Sequence, residues 1–192
     1  QKYEHGDKYS GALGTYTSFH IPLAAYSEKA NKTFFVYGGT KSSRDRYLLC
    51  TAGEFDHATG LLSKPTVVCD KNGVDDPHDN PNIMIDHDDY IWVFVSGRGR
   101  NRPGFKYRSV QPLSVDAFEL ISEEEMTYPQ PWKTKDGYMH LFTKYTGIRQ
   151  LYFETSTNGA DWTDDKLLAS IPQNKGERSG QYQVSALFNN QK

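Results

Sequence analysis

Residues 76–99, DPHDNPNIMIDHDDYIWVFVSGRG, contain the pattern from which the fold can be predicted, and the first seven include a histidine, two aspartates and two asparagines. A short apolar run, IMI, follows, and the polar segment DHDDY separates it from the strongly aromatic run IWVFV. Short apolar runs bounded by turn-forming residues are typical of buried β-strands. The stretch therefore predicts a pair of strands, with polar side chains where the first begins and where the second ends.

The pattern of this stretch recurs along the chain. Segments 18–70 and 127–170 repeat its polar start, short strand, polar turn and aromatic strand, and another copy opens at residue 180. The residues at the matched position lie 50 to 58 residues apart; they are His20, His78, Tyr128 and Tyr182. A self-similar unit of about 50 residues with four short strands is typical of a β-propeller blade.

We therefore predict an all-β fold, a partial β-propeller with about three and a half four-stranded blades. The predicted blades cover approximately residues 16–74, 75–126 and 127–179, and a fourth begins at residue 180. A β-sandwich with coincidental internal similarity is the alternative. Propellers close with ~4–8 blades, so we expect the N-terminal part of one propeller domain, completed by further blades in cis or by another chain.

Composition argues against two classes of function. The formal net charge of −2 and the sequence pI of about 6.3 provide no basic field, so we do not expect nucleic-acid binding by bulk electrostatics. No apolar run approaches the ~20 residues of a membrane helix, so we expect no membrane span. Aromatic residues make up 14% of the chain, which favours strands over helices.

Cys50 and Cys69 lie on either side of the turn sequence HATG. If HATG closes a hairpin, the two cysteines face each other across its strands, and the geometry allows a disulfide. A disulfide would suit an oxidising compartment, and the chain begins at Gln1, as it would after removal of an export signal or in a trimmed chain. We therefore expect a secreted or periplasmic protein, and two buried, reduced thiols are the alternative to the disulfide.

In a propeller the first strand of every blade lines the central channel, so the repeat gathers distant residues at one end of that channel. Histidine and tyrosine transfer protons, and arginine and lysine bind carboxylates or sulfates. The segment SGRGRNRPG, after the strand IWVFV, can aim its arginines at an anion. The candidates for proton transfer are His78, Tyr128 and Tyr145, and those for substrate binding are His20, Asp79, Asn80, Arg98, Arg100, Lys144 and Tyr182.

The acidic segment Asp86–Asp89 has two interpretations, a metal site and a solvated hairpin turn. The matched segment of the next copy, residues 135–138, contains the turn-forming pair Asp136 and Gly137, so the hairpin turn fits both copies. We therefore expect neither a metal nor another cofactor.

At residues 18–22, SFHIP, and 78–109, HDNPNIMIDHDDYIWVFVSGRGRNRPGFKYRS, the chain resembles BNR-repeat proteins of the sialidase-like propeller superfamily. It is most similar to their neuraminidase-like branch, which also contains the ulvan-type polysaccharide lyases. The resemblance covers nearly the whole chain and implies a sialidase-like propeller that acts on carbohydrate. Its motifs specify the fold better than the reaction.

Residues 155–162, TSTNGADW, resemble the Asp-box turn of these propellers in a degenerate form. Thr155 stands for the serine of that motif, Thr157 for its aspartate and Asp161 for its threonine. The resemblance implies a structural turn, in which Gly159 has a positive φ and Trp162 fills the space between blades.

One departure from the family pattern argues against a sialidase. Sialidases carry an aromatic-Arg-Ile-Pro motif whose arginine grips the substrate carboxylate, and here His20 stands in the place of that arginine. Histidine cannot form the permanently charged, bidentate fork that arginine forms. The catalytic aspartate loop of sialidases is also not evident near the first blade.

The similarity to propeller lyases implies β-elimination on an acidic polysaccharide. In that reaction a base removes the proton α to a uronate carboxylate, a cation neutralises the carboxylate, and an acid protonates the departing glycosidic oxygen. The resemblance implies that His78 is the base, that Tyr128 or Tyr145 is the acid, and that Arg98 or Lys144 is the cation.

Two other functions fit the same scaffold. A glycoside hydrolase needs two carboxylates about 5–10 Å apart, for which the candidates are Asp76, Asp79 and Glu154. A non-catalytic propeller would bind poly- or oligosaccharide on aromatic platforms such as Tyr128, Trp132 and Tyr145. The sequence alone does not choose among lyase, hydrolase and binding protein.

Overall fold

A computed structural model describes residues 21–42, 47–146, 148–170 and 183–188. The regular structure in these residues is almost entirely β, with thirteen strands in three antiparallel sheets. Two predicted site residues, His20 and Tyr182, lie outside the described residues. Within the described part of the chain, no helix has the length and apolar character needed to cross a membrane.

The first sheet is built from consecutive strands, and its outermost strand is split in two. Strand β1 pairs with β2, β2 with β3, and β3 with both β4 and β5. Pro65 lies in the short gap between β4 and β5, where it has no N–H to donate to the ladder. The bounds are β1 Ala24–Ser27, β2 Lys32–Gly39, β3 Leu49–Asp56, β4 Leu61–Leu62 and β5 Thr66–Asp70.

The second and third sheets each contain four antiparallel strands paired in chain order. The second consists of β6 Pro81–Ile85, β7 Ile91–Val95, β8 Gly104–Ser109 and β9 Phe118–Glu124. The third consists of β10 Thr127–Lys133, β11 Tyr138–Thr146, β12 Ile148–Ser156 and β13 Lys166–Ala169. The predicted all-β fold of four-stranded units is confirmed, and the first strands of neighbouring sheets, β1 with β6 and β6 with β10, contact each other.

Strand β7 is buried on both faces, which explains why its sequence is apolar throughout. Val93 belongs to a core shared with the first sheet, and Phe94 belongs to a core shared with the third. The turn before β7 is held by Asp86, whose Oδ1 accepts from the Tyr90 N–H at 2.8 Å and whose Oδ2 accepts from Trp92 Nε1 at 2.8 Å. The acidic segment therefore forms the predicted hairpin turn between β6 and β7, with Asp86 itself buried.

A buried charge cluster joins the second and third sheets. Lys106 Nζ lies 2.5 Å from Glu154 Oε1 and 2.6 Å from Glu124 Oε1, and His140 Nδ1 lies 2.7 Å from Glu154 Oε1. The ammonium group of Lys106 also lies 4.4 Å from the ring centroid of Trp162. These contacts connect β8 of one sheet to β11 and β12 of the next.

The degenerate Asp-box forms the predicted turn with different side chains. Gly159 has a φ of 79°, and the ring of Trp162 lies against Phe94 of the second sheet with centroids 6.0 Å apart, as predicted. The side-chain acceptors are Ser156 Oγ, which accepts from the Gly159 N–H at 2.8 Å, and Asn158 Oδ1, which accepts from the Asp161 N–H at 2.8 Å. The prediction that Thr157 takes the aspartate position is therefore wrong.

Cys50 and Cys69 are directly opposed on β3 and β5, as the hairpin argument predicts. Both are buried free thiols in this structure, so the disulfide is not formed here and stays a prediction. Burial raises the pKa of the Cys50 thiol well above its ordinary value, and burial also raises that of Cys69. Neither thiol is therefore a reactive thiolate at neutral pH.

We expect iodoacetamide to modify neither cysteine in the folded protein at pH 7 and both after unfolding, because burial and a raised pKa suppress the thiolate. Peptide mass spectrometry before and after denaturation measures this. If the two residues form a disulfide in the natural compartment, alkylation of the unfolded protein will also require a reductant. Rapid alkylation of the folded protein would contradict the buried placement of both residues.

Candidate active site

The start of β6 and the loop after β7 form one cluster of polar side chains. The chain enters β6 through a 3₁₀ turn, Pro77–Asp79, and Asp76 caps this turn by accepting the His78 N–H on Oδ1 at 3.0 Å. The loop after β7 closes on itself, because the N–H of Arg98 donates to the carbonyl of Arg102 at 2.6 Å. Both segments lie at the same end of the second sheet.

Asp76 and His78 form a hydrogen-bonded pair between Oδ1 and the ring Nδ1. Burial would raise the pKa of Asp76, but hydrogen bonds from His78 and Arg102 outweigh it and hold that pKa well below its ordinary value. Because ionised Asp76 can only accept, the neutral ring carries its proton on Nδ1 and has its lone pair on Nε2. The side chain of His78 is 16% exposed, so the site reaches the surface.

Two arginines from the loop after β7 converge on Asp76. Arg102 Nη2 lies 2.5 Å and Arg98 Nη1 lies 3.1 Å from Asp76 Oδ2. Arg98 Nη1 is also 3.4 Å from Nδ1 of His78, so a permanent positive charge stands beside the imidazole ring. Arg98 keeps 38% of its side chain exposed and can reach an anion from solvent.

Tyr128, near the start of β10, packs against His78 with ring centroids 5.7 Å apart. It is fully buried, and its φ of 54° lies in the left-handed region that residues with a bulky side chain seldom adopt. Its N–H donates to Ser96 Oγ at 3.1 Å. Such a backbone costs about 1–3 kcal/mol, so the surrounding structure holds Tyr128 at the site against strain.

Tyr145, near the end of β11, completes the cluster from the third sheet. Its N–H donates to Glu125 Oε1 at 3.0 Å, and the guanidinium of Arg149 lies 5.3 Å from its ring centroid. Its buried hydroxyl has no hydrogen-bond partner among the described residues. Burial would lower the pKa of Arg98, but its hydrogen bond to Asp76 and the charge interaction with Tyr145 raise it.

A buried ion pair lies behind these groups. Lys71 Nζ is 3.0 Å from Asp79 Oδ2, and their side chains are 3% and 0% exposed. Lys71 also donates to the carbonyls of Ser96 and Pro103, at 3.3 and 3.0 Å. Burial raises the pKa of Asp79, and the charges of Lys71 and Arg102 oppose that rise. The ionised form of Asp79 therefore depends on its two cationic neighbours.

The structure brings five of the predicted site residues together: His78, Asp79, Arg98, Tyr128 and Tyr145. Asn80 is also near but buried, and its amide packs over Gly38, where a Cβ would lie 2.1 Å from Asn80 Oδ1. Neither polar atom of that amide has a hydrogen-bond partner among the described residues. Asp79 and Asn80 thus lie beneath the site surface, and their contact with substrate stays a prediction.

Two other predicted residues, Arg100 and Lys144, contact acidic side chains rather than His78 in the described part of the chain. The side chain of Arg100 is 83% exposed and reaches Glu125 at 3.4 Å. Lys144 pairs with Asp165, and its ammonium group lies 5.4 Å from the ring centroid of Tyr152. Of the two cations proposed to neutralise a carboxylate, Arg98 and Lys144, only Arg98 contacts the imidazole in the described part of the chain.

Three residues of this cluster are not among the site residues predicted for the lyase reaction. Asp76 was predicted only as a hydrolase carboxylate, although its place before a proline and two residues before His78 is typical of a capping acid. Arg102 lies in the predicted arginine segment SGRGRNRPG but was not among the predicted site residues. Lys71 was missed because the segment KNG that begins with it has the composition of a solvated turn.

Three sheets joined through their first strands, with a polar site at the start of β6, define part of a β-propeller. The profile of the BNR repeat-containing family matches residues 26–176. The chain therefore belongs to the BNR repeat-containing family. No curated protein matches the chain.

Solved structures support the propeller fold. An ulvan lyase of polysaccharide lyase family PL25, one structure of which is bound to -[GlcA(1-4)Rha3S]-, superimposes with a TM-score of 0.72 at 15% identity, over 88% of this chain and 42% of the lyase. A family 117 glycoside hydrolase from Zobellia galactanivorans superimposes with a TM-score of 0.51 at 10% identity, over 86% of this chain and 60% of the hydrolase. The chain thus spans less than two thirds of either protein, and these likenesses show the fold alone.

Proposed function

We propose that the chain forms part of a polysaccharide lyase that cleaves an acidic, uronate-containing polysaccharide by β-elimination. The observation that carries the proposal is the contact of three groups: His78 bonded to Asp76 through Nδ1, with a guanidinium nitrogen of Arg98 3.4 Å from the same ring. This arrangement combines a base with the cation that the substrate carboxylate requires.

In the proposed reaction, Nε2 of His78 removes the proton on the carbon next to the carboxylate. Arg98 binds the carboxylate and stabilises the negative charge that forms there, which makes the carbon acid easier to ionise. The electron pair of the broken C–H bond forms a double bond to the neighbouring carbon, and the glycosidic C–O bond breaks. Tyr145 or Tyr128 gives its proton to the departing oxygen, and solvent later restores the starting protonation states.

Different observations bear on Tyr145 and on Tyr128 as the acid that protonates the departing oxygen. The side chain of Tyr145 is half-buried, and its buried hydroxyl has no hydrogen-bond partner among the described residues, so no such bond would be broken when it turns toward a substrate oxygen. Tyr128 is fully buried against His78, which suits a role in fixing the ring. We therefore favour Tyr145 as the acid and keep Tyr128 as the second candidate.

The carboxylates of the chain fit a glycoside hydrolase less well. A hydrolase needs one carboxyl group that keeps its proton at the working pH, and the pKa of Asp76 is held well below its ordinary value. Asp79 is fully buried between two cations. Glu154 lies in the ion cluster with Lys106, between the second and third sheets.

The remaining parts of the proposal concern the whole protein. The lyase that the chain resembles is longer, so we propose that further blades, in cis or from another chain, complete the channel and the substrate contacts. Because a polysaccharide meets an enzyme outside the cytoplasm, we place the protein in the periplasm or among secreted proteins. His20, Asp79, Asn80, Arg100, Lys144 and Tyr182 remain candidates for binding the polymer.

Product analysis with the complete natural protein tests the proposal. We expect digestion of uronate-containing polysaccharides to produce new chain ends together with ultraviolet absorbance from an unsaturated uronate. New reducing ends without that absorbance would show hydrolysis and overturn the lyase assignment. Binding to the polymer with no new ends would favour a non-catalytic carbohydrate-binding propeller and would overturn it as well.

A further inference from the structure

We propose that Lys71 and Asp79 are positioning residues that keep the ring of His78 in its Nδ1-protonated form, acting through Arg102 and Asp76. The catalytic consequence of this inference rests on the proposed function, in which His78 is the base. The effect on the ring itself follows from contacts among the described residues alone. Neither Lys71 nor Asp79 needs to touch the substrate.

The contacts form a chain in which the sign of the charge alternates. Lys71 Nζ lies 3.0 Å from Asp79 Oδ2, and Asp79 Oδ1 lies 3.1 Å from Arg102 Nε and 2.9 Å from Arg102 Nη2. Arg102 Nη2 then lies 2.5 Å from Asp76 Oδ2, and Asp76 Oδ1 bonds the ring nitrogen Nδ1 of His78. Each group is therefore fixed by its neighbour.

Lys71 anchors the buried end of this chain. Its ammonium group is 3.0 Å from the carbonyl of Pro103 and 4.7 Å from the ring centroid of Phe105, as well as bonding Asp79. A fully buried carboxylate without a positive partner takes up a proton, because burial penalises its charged form. Together with Arg102, Lys71 therefore favours the ionised form of Asp79, and it also connects the end of β5 to the loop before β8.

Asp79 in turn fixes the orientation of Arg102. Two of the guanidinium nitrogens of Arg102 approach the same carboxylate oxygen of Asp79, which fixes the plane of the group. The side chain of Arg102 is 29% exposed, so without this anchor it can turn toward solvent. Asp76 would then lose one of the partners that keep it ionised and aimed at Nδ1 of His78.

The experiment uses the double variant Lys71→Met/Asp79→Asn, which removes both charges but keeps the shape of the two side chains. The single variant Lys71→Met leaves the buried carboxylate of Asp79 with Arg102 as its one remaining cationic neighbour among the described residues. This variant is expected to be less stable than the double variant, so it serves only to measure the coupling. The control is Lys106→Met/Glu154→Gln, the same exchange in the other buried ion cluster, which lies between the second and third sheets.

The readout is the tautomer of His78, from long-range proton–nitrogen correlation spectra of the neutral ring. We expect the native protein and the control to show mainly the Nδ1–H form. In the folded Lys71→Met/Asp79→Asn variant we expect Nδ1–H to become the minor form, since Asp76 no longer holds the proton there. A stably folded double variant that keeps the native Nδ1–H signature would overturn the inference and leave Lys71 and Asp79 with a purely structural role.

Measuring kcat and KM of the double variant distinguishes a failure of this inference from a failure of the proposed function. If both are correct, the double variant loses about 10- to 100-fold in kcat with little change in KM, because only the base is displaced. A lost tautomer with undiminished kcat would sustain the positioning role and remove His78 as the base. A retained tautomer with undiminished kcat would reject the positioning role alone.

Discussion

A Lys106→Met variant is expected to lose about 3–5 kcal/mol of folding free energy, since it leaves the carboxylate of Glu154 buried without its strongest positive partner. Lys106 is 1% exposed and contacts Glu154 and Glu124 at 2.5 and 2.6 Å. Burial lowers the pKa of His140, so that ring is neutral at pH 7 and does not replace the lost charge. Denaturant unfolding followed by tryptophan fluorescence measures the loss.

The pH dependence of this variant provides a second check. Without Lys106 the pKa of His140 rises, because the ammonium group is one of the causes that lower it. The folded variant therefore binds a proton on His140 at higher pH than the folded native protein does, and this proton uptake favours the folded variant as pH falls. The deficit of Lys106→Met is therefore expected to be smaller at pH 5 than at pH 8.

Two further variants control the measurement. Lys106→Met/Glu154→Gln is expected to recover most of the lost stability, since no unpaired buried charge remains. Lys144→Met removes a partly exposed pair with Asp165 and is expected to cost at most about 1 kcal/mol. A Lys106→Met protein within 1 kcal/mol of the native one would show that the cluster contributes little to holding the second and third sheets together.

Replacement of His78 by alanine is expected to reduce β-elimination by about 10²- to 10⁴-fold, the usual contribution of a positioned general base. KM is expected to change little, because Arg98 still binds the carboxylate. His57→Ala is the matched control: this ring bonds Thr33 Oγ1 at 2.8 Å in the turn region of the first sheet and has no contact with the cluster. The measurement is the initial rate of unsaturated product formation.

Folding must be checked beside activity, because His78 also packs against Tyr128. Circular dichroism and the unfolding midpoint show whether the variant keeps the native sheets. A folded His78→Ala protein with the native rate would eliminate His78 as the base. An equal loss of activity in His57→Ala would show that the loss in His78→Ala comes from general damage to the propeller.

The repeat predicted the fold well because blade structure depends on local patterning. Alternation along β7, with Val93 on one face and Phe94 on the other, follows from the period of a strand and needs no knowledge of distant contacts. The opposed register of Cys50 and Cys69 followed from the same hairpin geometry. Whether two opposed thiols are oxidised depends on the redox environment, which no pattern of side chains records.

The candidate site was predicted only in part. His78, Tyr128 and Arg98 were found because they stand at repeated positions of the blade, and the repeat alone brings them together. Lys71 lies at the end of the preceding sheet, and its pairing with Asp79 depends on how two blades dock. That docking is set by three-dimensional packing, so a sequence pattern within one blade does not reveal it.

The alternating positive and negative side chains at the site affect how a charged polysaccharide approaches it. Lys71, Arg98 and Arg102 carry three positive charges, and Asp76 and Asp79 nearly balance them with two negative ones. The residual field is therefore small and, at physiological ionic strength, decays over a Debye length of about 8 Å. Long-range electrostatic attraction of a polyanion therefore contributes little. Discrimination between acidic and neutral polysaccharides depends instead on short-range contact with the half-exposed guanidinium of Arg98.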